Sequence, residues 1–179
     1  NNAVLMAKHV EEMMTQAPID KPFFLYFATT DPHHAGGRNM ALPYGPDRFG
    51  TLDTGNEGVK EENFDPKDIK VPYYLEDLPE TRAELAQYFK SLNRVDQGVK
   101  KLVSWLKQKN LYDNTIIIFT SDNGAPFPSA KGNLYEQGVR LPFVVKTRKN
   151  EAKNQTSNAF VSFTDITPTI LDMAGLLPK

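Results

Sequence analysis

An α/β fold, a mostly parallel sheet with flanking helices, is what this sequence predicts, on three observations. Two short runs, Phe-Phe-Leu-Tyr-Phe-Ala at 23–28 and Thr-Ile-Ile-Ile-Phe-Thr at 115–120, are apolar at consecutive positions, as strands buried on both faces are. A long amphipathic helical pattern lies between them. Strand, crossover helix, strand is the βαβ order, which implies parallel pairing.

Each element has a local reason. Residues 4–16 place Met6, Val10 and Met13/Met14 at helical spacing, and the pattern stops at Ala17-Pro18. The strand at 23–28 follows Pro22. From Glu80 to about Asn110, Leu85, Phe89, Leu92, Val95, Val99, Leu102 and Leu106 form one stripe, with Gly98 weakening the helix interior by ~1 kcal/mol. Continuous, that helix would run ~45 Å and ask for a broader partner surface than two or three strands supply. The strand at 115–120 is entered through the turn formers Asp113-Asn114. A third strand is expected over 141–146, with Pro142 near its start pointing to an edge or a strand-entry position. A closing helix within 164–174 should begin near Thr167, with Pro168 in its first turn, and stop at Gly175.

Residues 30–79 break this rhythm. They hold 6 of the 13 prolines, 6 of the 11 glycines, 10 acidic and 5 basic residues, with no sustained periodicity. Irregular stretches of that length are functional loops or disordered linkers. The first reading makes this a surface excursion beside a site.

Composition removes several classes of function. The 21 Lys+Arg against 22 Asp+Glu give a net charge of −1, so no global field favours nucleic acid. The longest apolar run, six residues, is far short of the ~20 that span a bilayer. Without cysteine there is no disulfide, thiolate metal site or cysteine nucleophile among these residues. At 40% hydrophobic and 24% charged the chain has a globular composition.

In open parallel sheets ligands sit outside the carboxyl ends of the strands. The strand at 115–120 runs into Ser121-Asp122-Asn123-Gly124, and that at 23–28 into Asp31-Pro32-His33-His34. Asp122 and Asn123 offer hard oxygen donors suited to Ca²⁺ or Mg²⁺, although Asp-Asn-Gly is also a common turn former. Two such oxygens cannot fill a calcium shell of about 6–8. His33 and His34 suit protonation of a leaving group or contact with an anion, and equally suit a solvated turn. Lys131 could neutralise a tetrahedral anion or serve as an ordinary loop lysine.

The order and wording of these segments resemble the sulfatase family. The resemblance rests on Phe24-Leu25-Tyr26-Phe27-Ala28 leading to Asp31-Pro32-His33, then Thr120-Ser121-Asp122-Asn123-Gly124, then 131–142 from Lys131-Gly132-Asn133 to Leu141-Pro142, then 163–171. Val71-Pro72-Tyr73 and Arg94-Val95-Asp96-Gln97-Gly98-Val99 are most similar to the heparan N-sulfatase (sulfamidase) branch. The resemblance implies an alkaline-phosphatase-like fold and calcium-dependent hydrolysis of sulfate esters or sulfamates, with a sulfated small molecule or glycan as substrate. It implies that Asp122 and Asn123 are calcium ligands, that His33 and Lys131 are catalytic residues at the sulfate, and that His34 lines the substrate mouth. Periplasmic, lysosomal or secreted placement follows by the same resemblance.

Two family features are missing. The formylglycine nucleophile arises from a Cys/Ser-x-Pro-x-Arg motif, and no such motif occurs here. The paired N-terminal aspartates that complete the calcium shell are also absent. The expectation is that residues 1–179 are the C-terminal portion of a sulfatase catalytic domain, with 30–79 as its substrate-side excursion. The remainder of the sulfatase chain would be its partner, and alone it would be inactive. Two alternatives stay open: a phosphoryl-transfer hydrolase of the same superfamily, and a non-catalytic sulfated-glycan-binding derivative.

Overall fold

The computed structural model describes residues 2–18, 21–148 and 154–177. Two compact units are present, Asn1–Lys149 and Asn150–Lys179. In the first, α1 (Ala3–Gln16) packs along α2 (Pro79–Gln108), followed by β1 (Ile117–Thr120), the single turn α3 (Glu136–Val139) and β2 (Phe143–Lys146). The second unit carries α4 (Phe163–Met173).

α1 starts one residue before the expected Val4. Asn2 caps it by accepting from Val4 N at 3.0 Å and Leu5 N at 3.3 Å, satisfying two otherwise unpaired amides. α2 is continuous through Gly98, and the reason is contact. A Cβ at Gly98 would stand 2.8 Å from the Ala3 backbone and side chain, so only glycine lets the two helices approach this closely.

The buried face of α2 coincides with the predicted apolar stripe only at its two ends, Leu85 and Leu106. Ala83, Ala86, Ser91, Arg94, Gly98 and Trp105 are buried as well, whereas Leu92 of the stripe is exposed and Phe89, Val95, Val99 and Leu102 are only half-buried. Ser91, Arg94 and Gly98 each precede a stripe residue by one position, a turn of ~100° about the helix axis. The helix therefore seats its small and polar face on α1 and the excursion.

The sheet corrects the predicted topology. β1 and β2 pair antiparallel, with Ile117 opposite Lys146 and Thr120 opposite Phe143, so the parallel arrangement is not what these residues form. The predicted strand at 23–28 has no ladder partner among the described residues and is irregular, with Phe24 77% and Tyr26 82% exposed. A strand exists only through its neighbours' hydrogen bonds. No βαβ unit therefore forms among the described residues.

The excursion at 30–79 is folded, against the linker reading. Phe49, Ile69, Leu85, Ala86 and Phe127 form a buried cluster that joins it to α2 and to the segment after β1. Within it, Arg38 donates to Gly45 O and Tyr44 O, and Pro66–Asp68 form a 3-10 turn capped by Asp65. α4 begins at Phe163, four residues before the expected Thr167. Ser162 and Asp165 form a capping box there, and Pro168 falls inside the helix instead of in its first turn. Gly175, with φ +72, follows the C-cap as expected. No described helix is long and apolar enough to cross a membrane.

Candidate functional site

The histidine pair hangs on a loop gripped from α2. Arg94, 1% exposed, places its Nε 3.0 Å from Asp31 Oδ2 and its Nη2 2.8 Å from Asp31 Oδ1, a bidentate pair at the start of the loop. The same guanidinium donates to Thr51 Oγ1 at 3.0 Å and to Phe49 O. One buried side chain thus ties both ends of residues 31–51. Ten residues earlier on α2, the Glu84 carboxylate takes His34 Nε2 at 2.8 Å and the Asp47 N–H at 2.9 Å.

Phe49 is the pivot. It is fully buried at φ +43, a left-handed conformation that bulky residues seldom adopt. Its surroundings enforce it: Asp47 Oδ1 accepts from its N–H at 2.7 Å, Arg94 takes its carbonyl, and the His34, Tyr88 and Phe127 rings surround its side chain.

Hydrogen bonding sets the chemistry of the two imidazoles. His33 Nδ1 lies 2.6 Å from His34 O, and a carbonyl only accepts, so Nδ1 carries a proton. The available nitrogen of His33 is Nε2. For His34 the bonded nitrogen is Nε2 and the available one is Nδ1.

Across the buried cluster, Gly124 to Lys131 turns back on itself. Lys131 N donates to Ala125 O at 3.1 Å, and Gly124 packs where a Cβ would lie 2.6 Å from Gln137 O. Asn123 Nδ2 donates to Gly124 O at 2.9 Å, which leaves its Oδ1 as an acceptor. The Asp122 carboxylate and the Lys131 ammonium are exposed and take no hydrogen bond or ion pair from described residues. Asp122 and Asn123 therefore fit calcium as a pair of hard oxygen donors, supplying less than half of its usual shell. Among the described residues no group of three His, Cys, Asp or Glu is close enough to hold a metal.

The structure brings His33 next to His34 and Asp122 next to Asn123, and no direct hydrogen bond joins the histidines to Asp122, Asn123 or Lys131 among described residues. The connection between them is apolar. The His34 ring meets Phe49 at 4.6 Å, and Phe49 lies 6.4 Å from Phe127, between Asn123 and Lys131 in sequence. A groove of about 510 Å³ opens beside Phe127, bordered by Glu84 and Thr81 of α2, by Tyr74 and by Pro128, and neither histidine lines it. Sequence reasoning missed Arg94, Glu84 and Phe49. The small-residue face around Arg94 was the one available signal for the first.

A sulfatase family model matches residues 2–176, and the chain belongs to the sulfatase family. It is 38% identical over 161 residues to the N-sulphoglucosamine sulphohydrolase of Homo sapiens, an alignment covering 88% of this chain and 32% of that protein. Over 169 residues it is 39% identical to the N-acetylglucosamine-6-sulfatase of Bos taurus, covering 87% and 29% respectively. The ulvan-active sulfatase of Formosa agariphila is 30% identical over 182 residues, with 89% and 30% covered. The chain thus spans about a third of the length of these relatives.

Proposed function

We propose that these residues are the C-terminal portion of a sulfatase catalytic domain that hydrolyses sulfate esters or sulfamates of sulfated sugars. The observation that carries this reading is the family match over 2–176, which includes every candidate site residue. The relatives' names, two of them glucosamine sulfatases, support a sulfated amino sugar as the substrate class.

In this reading His33 delivers a proton from Nε2 to the bridging oxygen or nitrogen as its bond to sulfur breaks. The hydrogen bond from Nδ1–H to the His34 carbonyl supports that role, because it leaves Nε2 as the available nitrogen and fixes the ring's orientation. Lys131 offsets negative charge on the sulfuryl oxygens, a task suited to an ammonium with no competing carboxylate. Asp122 and Asn123 would hold calcium together with ligands outside these residues, and the bound ion would polarise the sulfuryl group. A formylglycine, formed on the Cys or Ser of a motif that these residues lack, would supply the attacking oxygen. The remainder of the sulfatase chain is then the partner, and a periplasmic, lysosomal or secreted location belongs to the same proposal.

The test is kinetic. In the full-length polypeptide, His33→Ala and Lys131→Ala should each lower kcat/KM for 4-nitrophenyl sulfate by about 10²–10⁴-fold. Near-wild-type values in both variants would remove those roles.

A further inference from the structure

We infer that Glu84 is a positioning residue that fixes the tautomer of His34, so that His34 Nδ1 accepts a hydrogen bond from a sugar hydroxyl and selects sulfated sugars over hydroxyl-free sulfate esters. The substrate half of this statement rests on the sulfatase reading above. The tautomer half stands on geometry alone.

A histidine beside a surface glutamate is ordinarily a weak, screened pair. Here the carboxylate is committed on both oxygens. Oε2 accepts the Asp47 backbone N–H at 2.9 Å, and a backbone N–H can only donate. That bond fixes the carboxylate plane and presents Oε1 to His34 Nε2 at 2.8 Å. A carboxylate has only acceptors to offer, so Nε2 carries a proton, and in the neutral form of the ring Nδ1 is left bare.

The ring has little freedom to turn away. It packs on Phe49 at 4.6 Å and 68°, and Phe49 is itself held by Asp47, Arg94, Tyr88 and Phe127. Nδ1 has no partner among the described residues. Neighbouring His33 is held in the opposite sense, through Nδ1–H. The pair thus offers one nitrogen that can deliver a proton and another that receives a hydroxyl. Glu84, which holds the ring, also borders a groove of about 510 Å³ whose Tyr74 and Phe127 walls offer apolar faces for a sugar to stack on.

Glu84→Gln separates this account from a merely structural one. The single carbonyl of the glutamine must still face the Asp47 N–H, so its NH₂ group turns to His34 Nε2. That nitrogen must then accept, and the ring proton moves to Nδ1. A nearly isosteric change converts the substrate-facing acceptor into a donor.

The experiment uses the full-length polypeptide with ¹⁵N-labelled histidine near neutral pH, and two probes, glucosamine N-sulfate and 4-nitrophenyl sulfate. The expected result is a neutral His34 protonated at Nε2 in wild type and at Nδ1 in Glu84→Gln. The ratio of KM for the sugar probe to KM for the aryl probe should rise about tenfold, with kcat for the sugar held within about twofold. His34→Ala should move the same ratio, and the double variant should add nothing further. An unchanged tautomer, a doubly protonated His34 in wild type, or an equal rise of both KM values overturns the inference. Should wild type hydrolyse neither probe, the sulfatase reading fails by itself, and the tautomer comparison still decides the role of Glu84.

Discussion

Arg94 carries more of the local order than any other single side chain. Its guanidinium is out of water, and Asp31 supplies the compensating charge through two hydrogen bonds. Removing one partner of such a pair leaves an uncompensated buried charge. Asp31→Ala should therefore destabilise the fold by about 3–5 kcal/mol in urea unfolding. Arg94→Lys should fail to restore it, since an ammonium cannot reproduce the fork that spans Asp31, Thr51 and Phe49. Arg94 was illegible in the sequence because a charged residue on a helix ordinarily points to solvent. A milder effect concerns Glu61. Burial raises its carboxyl, but the Lys90 ammonium and the Asn56 amide outweigh that and hold it below the ordinary glutamate range. Lys90 Nζ is 3.1 Å from Oε2 without hydrogen-bond alignment, so the contact is ionic. A lowered native value means the unfolded chain binds more protons near the ordinary pKa. The stabilisation is complete above that value and fades as pH falls through the native one. Glu61→Gln should remove this acid-side slope, a change under about 1 kcal/mol, in unfolding measured between pH 6 and pH 3.

Helix positions were the most readable elements, because α1 and α2 declare themselves by spacing and by the prolines that bound them. The face that α2 buries was readable only in part, since Leu85 and Leu106 of the stripe are buried while close approach selected Gly98 and its neighbours in between. Gly98→Ala tests this. On an isolated helix it would gain about 1 kcal/mol, yet here the added Cβ collides with Ala3, and a net loss of about 1–3 kcal/mol is expected in thermal unfolding. The strands were half legible. β1 and β2 stand within their predicted runs, but their direction depends on the 22 residues between them, which hold one turn of helix instead of a crossover. α4 had an unread start signal, Ser162 with Asp165 three residues on. Around Gly138 the site loop is packed without spare room. A Cβ there would stand 2.1 Å from Asn133 O and 2.6 Å from Ala130 O. Gly138→Ala should push 130–133 outward, carry Lys131 with it, and lower kcat/KM for an aryl sulfate at least tenfold.

At the scale of the molecule, the site motifs were legible as words, while the buried frame that holds them was not. Phe49 sits in a stretch with no periodicity, so nothing in its sequence surroundings announces a core residue. The half-covered stripe of α2 and the exposed Phe24 and Tyr26 show how much apolar surface these residues leave open. The 179-residue chain alone should accordingly brighten a hydrophobic dye and show no turnover of 4-nitrophenyl sulfate. The full-length polypeptide should do the reverse. The grips of Arg94 and Glu84 have one more consequence. Among the described residues, hydrogen bonds from α2 hold the histidine loop at Asp31, His34, Asp47, Phe49 and Thr51, whereas the stretch from Gly37 to Pro46 is tied by its own bonds, such as Arg38 to Gly45 O and Asn39 N to Pro46 O. New loops could be spliced there without moving the His33 imidazole.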